Sequence, residues 1–478
     1  MTYPYNNLDV SAKMIKFAEN CKKMKARENF GSKFGAILAA AGSAVGLGNV
    51  WRFPIETGQN GGGAYIIIYI LCIILLGYPV MMSEFIIGRK SRSSTAGAFK
   101  VLAPGTQWKW VGRLGVLTAF IILSYYAVVA GWTMEYIFLT LTDQFSGKSV
   151  ADYGPMFNDF VESPWKSAMW TVVVFIVTMY VISRGVKDGI EKYAKILMPM
   201  LFILTLVLVG CAVNLPGASE GLEFLFNPDF SKINASVVMN ALGQAFYSLS
   251  LGMGALITYA SYFGTETRLR KTAVNVCAID TFVALLAGCI VFPAMFNAGY
   301  SIKPDDIGPS LIFVTLPNVF QQSFSGMPIL GYIFSVMFYL LLLVAAVTSM
   351  ISLHEVVTAY LCEEWGMLRK KASVLVTTFA AILGVVCALS FGVLSDVRIL
   401  DKTFFDLFDS VSSNYLLPLG GLLTTIFIGW YVDKKVIVDE VTNENKLRHA
   451  SVRIIRVLIR YVAPIAITLI FLSQLGVI

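Results

Sequence analysis

Two glycine-rich stretches interrupt apolar parts of this sequence. The backbone N–H and C=O groups that such interruptions leave outside helical hydrogen bonds determine what the chain can bind. The first reads AAAGSAVGLGNVWRFP, residues 39–54, and has three glycines in seven positions. The second reads GQAFYSLSLGMGALITYASY, residues 243–262, with Gly252 and Gly254 near its centre. Glycine favours a break in a helix, because it has low helix propensity and adopts backbone conformations closed to other residues.

A broken helix exposes backbone groups that bind ions. A half-helix that begins near Leu47 and Gly48 directs N–H groups and the positive end of its dipole at the break, which suits a carboxylate. The helix ends near Ala44 and Ser248 offer carbonyl oxygens, which suit a cation. The two breaks together predict a site for a zwitterion with sodium. The alternative is that the glycines serve only close packing between helices.

The composition places both stretches in a membrane. The chain has 478 residues, of which 56% are hydrophobic and 14% charged, and its mean hydropathy is +0.70. A soluble domain carries about 25% charged residues. We therefore predict an all-α polytopic membrane protein with 11 transmembrane helices. The apolar runs lie at 34–58, 64–88, 114–141, 168–183, 193–214, 237–263, 275–298, 328–361, 373–395, 404–431 and 454–478.

The distribution of basic residues predicts the orientation in the membrane. The N-terminal segment and alternate loops are rich in lysine and arginine, near 13–33, 89–92, 184–187, 268–271 and 369–371. The intervening loops are richer in acids, near 152–162, 220–229 and 305–306. The positive-inside rule places the N-terminus in the cytoplasm and, after eleven spans, the C-terminus outside. We expect a multi-pass protein of the cell inner (plasma) membrane. The basic loops explain its net charge of +7, so we expect no nucleic-acid partner.

Residues suited to catalysis are sparse. The chain has two histidines, His354 and His449, and seven cysteines without metal-ligand spacing. Ser248 or Ser349 would act as a nucleophile only beside a base, and no histidine precedes His354. We therefore predict that the protein is not an enzyme.

Five longer motifs match a known family in order. They are GSAVGLGNVWRFP (42–54), NGGGAY (60–65), SYYAVVAGW (124–132), FYSLSLGMGALITYASY (246–262) and VTSMISLHE (347–355). From about Arg27 to Leu422 the chain resembles the neurotransmitter:sodium symporter family, in its bacterial branch of leucine, tyrosine and multi-hydrophobic amino acid transporters. The resemblance implies a sodium-coupled symporter that imports amino acids by alternating access. The alternative is an amino-acid sensor or channel on the same scaffold.

The resemblance also implies an internal symmetry. Helices 1–5 and 6–10 would form two inverted five-helix repeats, with helices 1 and 6 broken. The expected organisation is a cytoplasmic N-terminal segment (1–33), the first repeat (34–214), an extracellular loop (215–236), the second repeat (237–431), and a cytoplasmic loop with the eleventh helix (432–478). The sequence leaves the oligomeric state open.

Matching positions imply a substrate site. The substrate carboxylate would meet the backbone at Leu47 and Gly48 and the Tyr126 hydroxyl. Its amine would meet carbonyl oxygens of Ala44, Tyr247, Ser248 and Ser250. Side-chain specificity would come from Ile122, Val129, Tyr247, Met253, Ser349 and Leu353.

Three departures reshape the pocket. Ser43, Tyr247 and Met253 stand where the bacterial leucine transporter has asparagine, phenylalanine and phenylalanine. The side-chain pocket stays apolar, so we predict a hydrophobic or aromatic amino acid. No acid replaces Gly46 to hold an amine without a carboxylate, which argues against monoamines.

The resemblance implies two sodium sites. The first would use Ala44, Asn49, Ser248 and Asp280, with the substrate carboxylate as a further ligand. The second would use Gly42, Val45, Ala345, Thr348 and Ser349. These groups are oxygen donors, which hard cations prefer.

Asp280 also bears on chloride. In relatives, the negative charge near the first sodium site comes from either a chloride ion or a glutamate. The residue at the position of that glutamate is Ala284 in this sequence. We predict no chloride requirement, because Asp280 supplies the negative charge. A protonated Asp280 is the alternative, and Tyr69, Gln244 and Ser248 keep residue types found around chloride in relatives.

Charged residues near the breaks suggest gates. Arg52 would pair with Asp409 to close the outer path, with Asp406 as the competing acid. Arg27 and Glu363 would form an inner latch near Phe30 and Tyr262, unless they are solvated loop charges. Gly189 and Pro199 match a family motif that permits local unwinding of helix 5.

Overall fold

The computed structural model describes residues 28–300, 310–443 and 452–475. Over these residues the chain is built from helices, and its β structure is limited to one isolated bridge between Ile399 and Lys402. The all-α prediction is therefore confirmed. Arg27 and His449 lie outside the described residues.

Nine helices among the described residues are long and apolar enough to cross a membrane. A bent pair, α1a (Lys33–Ala44) and α1b (Gly48–Gln59), makes a tenth span. The remaining predicted span is divided into α6a (Ala235–Ser248) and α6b (Ala255–Ala260), which is consistent with eleven spans in all. The nine are α2 (Gly63–Ser91), α3 (Lys109–Leu141), α4 (Pro164–Ser183), α5 (Val186–Ala212), α7 (Leu269–Asn297), α8 (Pro328–Glu364), α9 (Arg369–Leu389), α10 (Phe404–Tyr431) and α11 (Val452–Gln474).

The break in helix 1 lies where the glycines predict it. The two halves, α1a and α1b, are bent by 52°. Val45 follows the last residue of α1a and adopts an extended conformation, with φ −70° and ψ 111°. The chain then resumes as a wide helical turn over Gly48–Arg52. The backbone from Val45 to Leu47 is therefore available for contacts with other helices.

The break in helix 6 requires glycine. Between α6a and α6b, Gly252 and Gly254 have φ of +85° and +76°, which other residues rarely adopt. A Cβ on Gly252 would lie 2.2 Å from the Leu417 carbonyl oxygen of α10. A Cβ on Gly420 would lie 2.2 Å from the Gly252 carbonyl oxygen. Helix α10 therefore packs directly on the unwound backbone.

The two longest helices, α3 and α8, form the scaffold around the breaks. They have 33 and 37 residues and pack along each other, while α4 and α9 pack against α3. Trp132 of α3 is fully buried, and its ring lies 5.4, 5.7 and 5.2 Å from the rings of Phe157, Phe313 and Phe391. These edge-to-face contacts fix the second half of α3 against its neighbours.

A short helix between α10 and α11, Lys434–Thr442, is tied to the bundle by a buried ion pair. Its Glu440 accepts a hydrogen bond from Arg89 Nε near the end of α2. Arg89 also donates to the backbone carbonyl oxygens of Glu440 and Thr267, at 2.6 and 2.5 Å. One guanidinium therefore joins α2, the segment before α7, and the helix that leads to α11.

We predict that Glu440→Gln destabilises the protein by about 3 kcal/mol, because it leaves the buried Arg89 guanidinium without its counter-charge. Asp439→Asn is the matched control, since Asp439 is the adjacent acid and the ion pairs of the described residues do not include it. Denaturant titration in detergent measures both variants. Equal stability of the two would contradict a structural role for the pair.

Candidate functional site

The broken segment of helix 1 is held by side chains. The Gly46 N–H donates to Asn49 Oδ1 at 2.9 Å. The next N–H, that of Leu47, donates to the Tyr126 hydroxyl oxygen at 3.0 Å. Tyr126 lies in the middle of α3, so the long scaffold helix positions its hydroxyl at the break. Backbone donors and a phenolic hydroxyl therefore meet at one point inside the bundle.

A narrow cavity of about 40 Å³ lies between the two breaks. Eleven of the residues predicted for the substrate site line it, together with Leu417 of α10, which was not predicted. The eleven are Ala44, Gly46, Gly48, Ile122, Tyr126, Tyr247, Ser248, Ser250, Met253, Ser349 and Leu353. Its lining combines hydroxyl-bearing side chains with aliphatic ones. The cavity is smaller than the roughly 300–1,000 Å³ typical of ligand pockets, so the surrounding helices must move apart to admit a ligand of amino-acid size.

The other three residues predicted for the substrate site do not line this cavity. The Ser43 carbonyl oxygen accepts the Ser250 hydroxyl at 2.9 Å, which joins the two breaks. Leu47 contributes its N–H to Tyr126, as described above. Val129 is buried on α3, 3% exposed.

Gly46 allows two hydroxyls to approach the break. A Cβ at this position would lie 2.5 Å from Ser349 Oγ and 3.0 Å from the Tyr126 hydroxyl oxygen. Any side chain at position 46 would displace both hydroxyls. Glycine at this position therefore keeps both hydroxyls close to the break.

Three of the four protein groups predicted for the first sodium site contact one another. Asn49 Nδ2 donates to Asp280 Oδ1 at 2.7 Å and to the Asp280 carbonyl oxygen at 3.0 Å. The Ser248 hydroxyl donates to Asp280 Oδ2 at 2.9 Å. The fourth group, Ala44, lines the adjoining cavity. Contacts from α1, α6 and α7 thus converge on one carboxylate.

Asp280 is fully buried, and its hydrogen-bond partners are neutral. Its donors are an amide and hydroxyls, with the Tyr69 hydroxyl at 3.5 Å. Among the described residues, no ion pair involves Asp280. An ionised carboxylate at membrane depth is costly unless a positive charge balances it. The site is therefore suited to a cation.

Groups predicted for the second sodium site meet between α1a and α8. The Thr348 and Ser349 hydroxyls lie 3.5 and 3.4 Å from the Val45 carbonyl oxygen. Thr348 Oγ1 also donates to the Ala345 carbonyl oxygen at 3.0 Å. A Cβ on Gly42 would lie 3.5 Å from Thr348 Cβ, so α1a passes close to α8 here. Carbonyl and hydroxyl oxygens thus face one another across the two helices.

The structure does not bring Arg52 and Asp409, the pair predicted to close the outer path, within ion-pair distance. Arg52 Nε instead lies 3.4 Å from Glu56 Oε1, one turn further along helix 1. The Arg52 guanidinium covers the Tyr247 ring at 4.7 Å from its centroid. Asp409 Oδ1 accepts the Ser413 hydroxyl at 3.0 Å. The expected contact is absent from this structure because Arg52 has a nearer acid on its own helix.

The competing acid, Asp406, has a local structural role. Its backbone N–H and its carboxylate both bind the Thr403 hydroxyl, at 3.2 and 2.8 Å, where α10 begins. Asp406 is exposed, whereas Asp409 is half-buried. Asp409 therefore lies nearer to the interior of the bundle than Asp406 does.

The pair predicted as an inner latch is only partly within the described residues, because Arg27 lies outside them. Glu363 Oε2 accepts the Ser94 N–H at 2.6 Å. The predicted aromatic neighbours do meet, since the Phe30 N–H donates to the Tyr262 carbonyl oxygen at 3.1 Å and their rings are 5.9 Å apart. The segment before helix 1 therefore packs against the end of α6b.

A buried acid on α8 was missed from the sequence. Glu355 is fully buried and accepts the Tyr262 hydroxyl at 2.5 Å. It also forms an ion pair with Arg369 at the start of α9, and Arg369 Nε donates to the Ile182 carbonyl oxygen at 2.8 Å. These contacts join α4, the segment that follows α6b, α8 and α9. An acid inside an apolar run was the available signal, because such residues need a partner.

The start of α5 bears the glycine of the predicted unwinding motif. Val186–Glu191 forms a wide turn, and a Cβ on Gly189 would lie 2.2 Å from the Val181 carbonyl oxygen of α4. Pro199 lies inside α5. Glu191 accepts the Gly31 N–H at 2.5 Å, which ties the segment before helix 1 to this turn.

The fold and site together define a class of protein. A membrane bundle with two discontinuous helices, and with backbone groups directed at a central cavity, is the architecture of sodium-coupled secondary transporters of the inverted-repeat type.

Comparisons with known proteins agree with this class. The model of the sodium:neurotransmitter symporter family matches residues 27–153 and 144–478. The uncharacterized sodium-dependent transporter YhdH of Bacillus subtilis is 39% identical over 93% of this chain and 97% of its own length. A similar uncharacterized transporter of Haemophilus influenzae is 37% identical over 94% of this chain and 99% of its own length. The chain belongs to the sodium:neurotransmitter symporter family.

A solved structure is similar over nearly the whole chain. The crystal structure of MhsT in complex with L-phenylalanine has a TM-score of 0.84 and 41% identity, and it covers 94% of this chain and 100% of its own. This protein is therefore a sodium-coupled symporter rather than an enzyme, as the motifs predicted.

We predict that Thr348→Val weakens sodium affinity about tenfold or more, because an interaction with a charged group contributes about 1.5–3 kcal/mol. Thr178→Val in α4 is the matched control, since its hydroxyl also donates to its own helix, at 2.9 Å from the Val174 carbonyl oxygen. The measurement is the sodium concentration that gives half-maximal substrate binding, which should rise in Thr348→Val and not in Thr178→Val. Unchanged sodium dependence in Thr348→Val would refute the second site.

Proposed function

We propose that this symporter imports a hydrophobic or aromatic amino acid together with sodium. The observation that carries the proposal is the lining of the cavity between the two breaks, which combines the Tyr126 hydroxyl, the acceptor of the Leu47 N–H, with aliphatic side chains. An amino acid has the same division between a charged end and a side chain. The L-phenylalanine in the MhsT complex supports this substrate class.

The substrate would bind by its backbone at the breaks. Its carboxylate would accept from the Leu47 and Gly48 N–H groups and from the Tyr126 hydroxyl, at the positive end of α1b. Its ammonium group would donate to carbonyl oxygens at the ends of α1a and α6a. These are the carbonyls of Ala44, Tyr247, Ser248 and Ser250. Because both charged groups of a zwitterion are paired, the site favours amino acids over simple amines.

The apolar side of the cavity would select the substrate side chain. Ile122, Met253, Leu353 and Leu417 line it. Methionine adapts its shape to different neighbours, so Met253 allows side chains of different size. Gly46 opposes a monoamine, because this position carries no acidic side chain that would bind an amine without a carboxylate.

Two sodium ions would accompany the substrate. The first would bind at Asp280, Asn49, Ser248 and the Ala44 carbonyl, with the substrate carboxylate as a further ligand. The second would bind at the Gly42, Val45 and Ala345 carbonyls and the Thr348 and Ser349 hydroxyls. The Asp280 carboxylate would supply the negative charge at the first site, so transport would need no chloride.

Access to the site would alternate between the two sides of the membrane. Arg52 with Asp409 would close the outer path, and Arg27 with Glu363 would close the inner one. Local unwinding between Gly189 and Pro199 would open a route to the second sodium site. The orientation would place the N-terminus in the cytoplasm and the protein in the plasma membrane, following its basic residues.

The chain would be organised as two inverted repeats. Residues 34–214 and 237–431 would form the repeats, joined by the extracellular loop 215–236. Residues 1–33 and 432–478 would flank them, with the eleventh helix in the second segment. The breaks in the first helix of each half support this division.

Uptake into proteoliposomes tests the proposed function. We expect accumulation of labelled L-phenylalanine under an inward sodium gradient and none when choline replaces sodium. A competition panel of the twenty amino acids should show the strongest inhibition by hydrophobic and aromatic ones. Sodium-dependent binding without accumulation would instead indicate a sensor, and competition by charged amino acids alone would refute the substrate class.

Replacing chloride by gluconate tests the role of Asp280. We predict unchanged uptake in the unmodified protein, because a fixed carboxylate replaces the anion. Asp280→Ala should lose uptake or need much more sodium, since the first site loses its charge. A chloride requirement in the unmodified protein would refute this assignment.

A further inference from the structure

A second cavity, separate from the transport site, opens on the side of the bundle that faces lipid. It is a groove of about 750 Å³ between α3, the end of α8, and α9. Its volume falls within the range of about 300–1,000 Å³ that is typical of ligand pockets. Leu117 of α3, Leu361 of α8, and Phe379 and Ile382 of α9 are among the side chains that line it. None of its lining residues also lines the cavity between the breaks.

The occupant of this groove must be apolar along most of its length. Leu117, Phe379 and Ile382 are 50, 54 and 56% exposed, so their side chains face outward from the bundle. They lie on helices that are apolar enough to span a membrane. At that depth the surrounding solvent is lipid, and an acyl chain matches an aliphatic groove.

One end of the groove is basic and aromatic. Arg113, in the second turn of α3, lines it and is exposed. The Arg113 guanidinium lies 4.7 Å from the centre of the Trp110 ring, and Trp365 and Tyr360 line the same end. Over the described residues, no ion pair includes Arg113. Tryptophan and tyrosine gather at the level of lipid headgroups.

The same end is where α3 begins, α8 ends and α9 begins. Helix α9 starts with Arg369, Lys370 and Lys371. With the orientation proposed above, this end faces the cytoplasm, whose leaflet carries anionic lipids. An arginine fork binds phosphate through two parallel hydrogen bonds, and its positive charge favours a lipid with a net negative charge over a zwitterionic one.

We propose that this groove binds an anionic glycerophospholipid of the cytoplasmic leaflet. One acyl chain lies between α3 and α9, and the phosphate pairs with Arg113 between the Trp110 and Trp365 rings. The groove is a separate site from the transport cavity, because the two share no lining residue. Its lipid contacts α8, the helix that also bears Thr348 and Ser349.

Photolabelling in nanodiscs tests the proposal. The full-length protein is reconstituted with phosphatidylglycerol or phosphatidylcholine that carries the same diazirine-labelled acyl chain, irradiated, digested and mapped by mass spectrometry. We expect adducts in the peptides of α3, α8 and α9, with phosphatidylglycerol labelled roughly fivefold more than phosphatidylcholine, as for one basic residue near an anionic surface.

Three variants locate the interaction. Arg113→Gln should remove the preference for phosphatidylglycerol. Arg184→Gln is the matched control, because Arg184 is also an exposed arginine stacked on an aromatic ring, Tyr180, at 4.8 Å, and lies outside the groove. Leu117→Trp fills the groove and should reduce labelling by both lipids. Thermal melting of each variant verifies that it is folded.

Several results would overturn the proposal. Equal labelling by the two lipids in the unmodified protein would exclude headgroup recognition. An equal effect of Arg184→Gln and Arg113→Gln would indicate general surface charge. Unchanged labelling in folded Leu117→Trp would exclude the groove as the site. Crosslinks from these helices to a second copy of the chain, in place of lipid, would identify an interface between copies.

Discussion

The structure depends on backbone groups that leave the helical hydrogen-bond pattern inside a membrane bundle. Burying such a group without a partner costs roughly 2–7 kcal/mol, so non-helical backbone is tolerated only where something else pairs it. Tyr126 pairs the Leu47 N–H, and Glu84 of α2 pairs the Gly252 N–H at 2.7 Å. The bundle must therefore close around the breaks, and their remaining groups form a polar centre that can bind ions and zwitterions.

The arrangement of the breaks gives a physical basis for coupling. The Val45 carbonyl faces the hydroxyls of Thr348 and Ser349, while the Leu47 N–H faces Tyr126. We infer that sodium and the substrate carboxylate act on the same three-residue segment, from opposite ends. Each ligand orders backbone that the other needs, so the two should bind cooperatively and reciprocally. The mutual packing of α3 and α8 keeps the facing side chains in register.

Features encoded over short stretches were predictable from the sequence. The apolar runs predicted the membrane spans, and the glycines around Gly46 and Gly252 predicted the breaks. Both predictions succeed because helix propensity and the ability to adopt a left-handed backbone conformation are properties of single residues. The ends of the helices were predicted less accurately. The apolar run of α3 begins at 114, but the helix begins at Lys109, since a charged first turn extends beyond the hydrocarbon.

Contacts that depend on three-dimensional neighbours were not predictable in the same way. Leu417 lines the cavity only because α10 packs on the unwound backbone of helix 6. Arg52 pairs with Glu56 because the second half of helix 1 continues as a helix, which places that acid one turn away. The Glu355–Arg369 pair required knowing that α8 and α9 meet near α6b, although a buried acid in an apolar run was a visible signal.

We propose that the two breaks bind sodium and an amino acid as one coupled unit. Isothermal titration of L-phenylalanine into the purified protein, over a series of sodium concentrations with choline as replacement, measures this coupling directly. The account predicts no binding in choline alone and an affinity that rises with sodium, with a logarithmic slope that approaches two at low sodium concentration. The same affinity with and without sodium would contradict it.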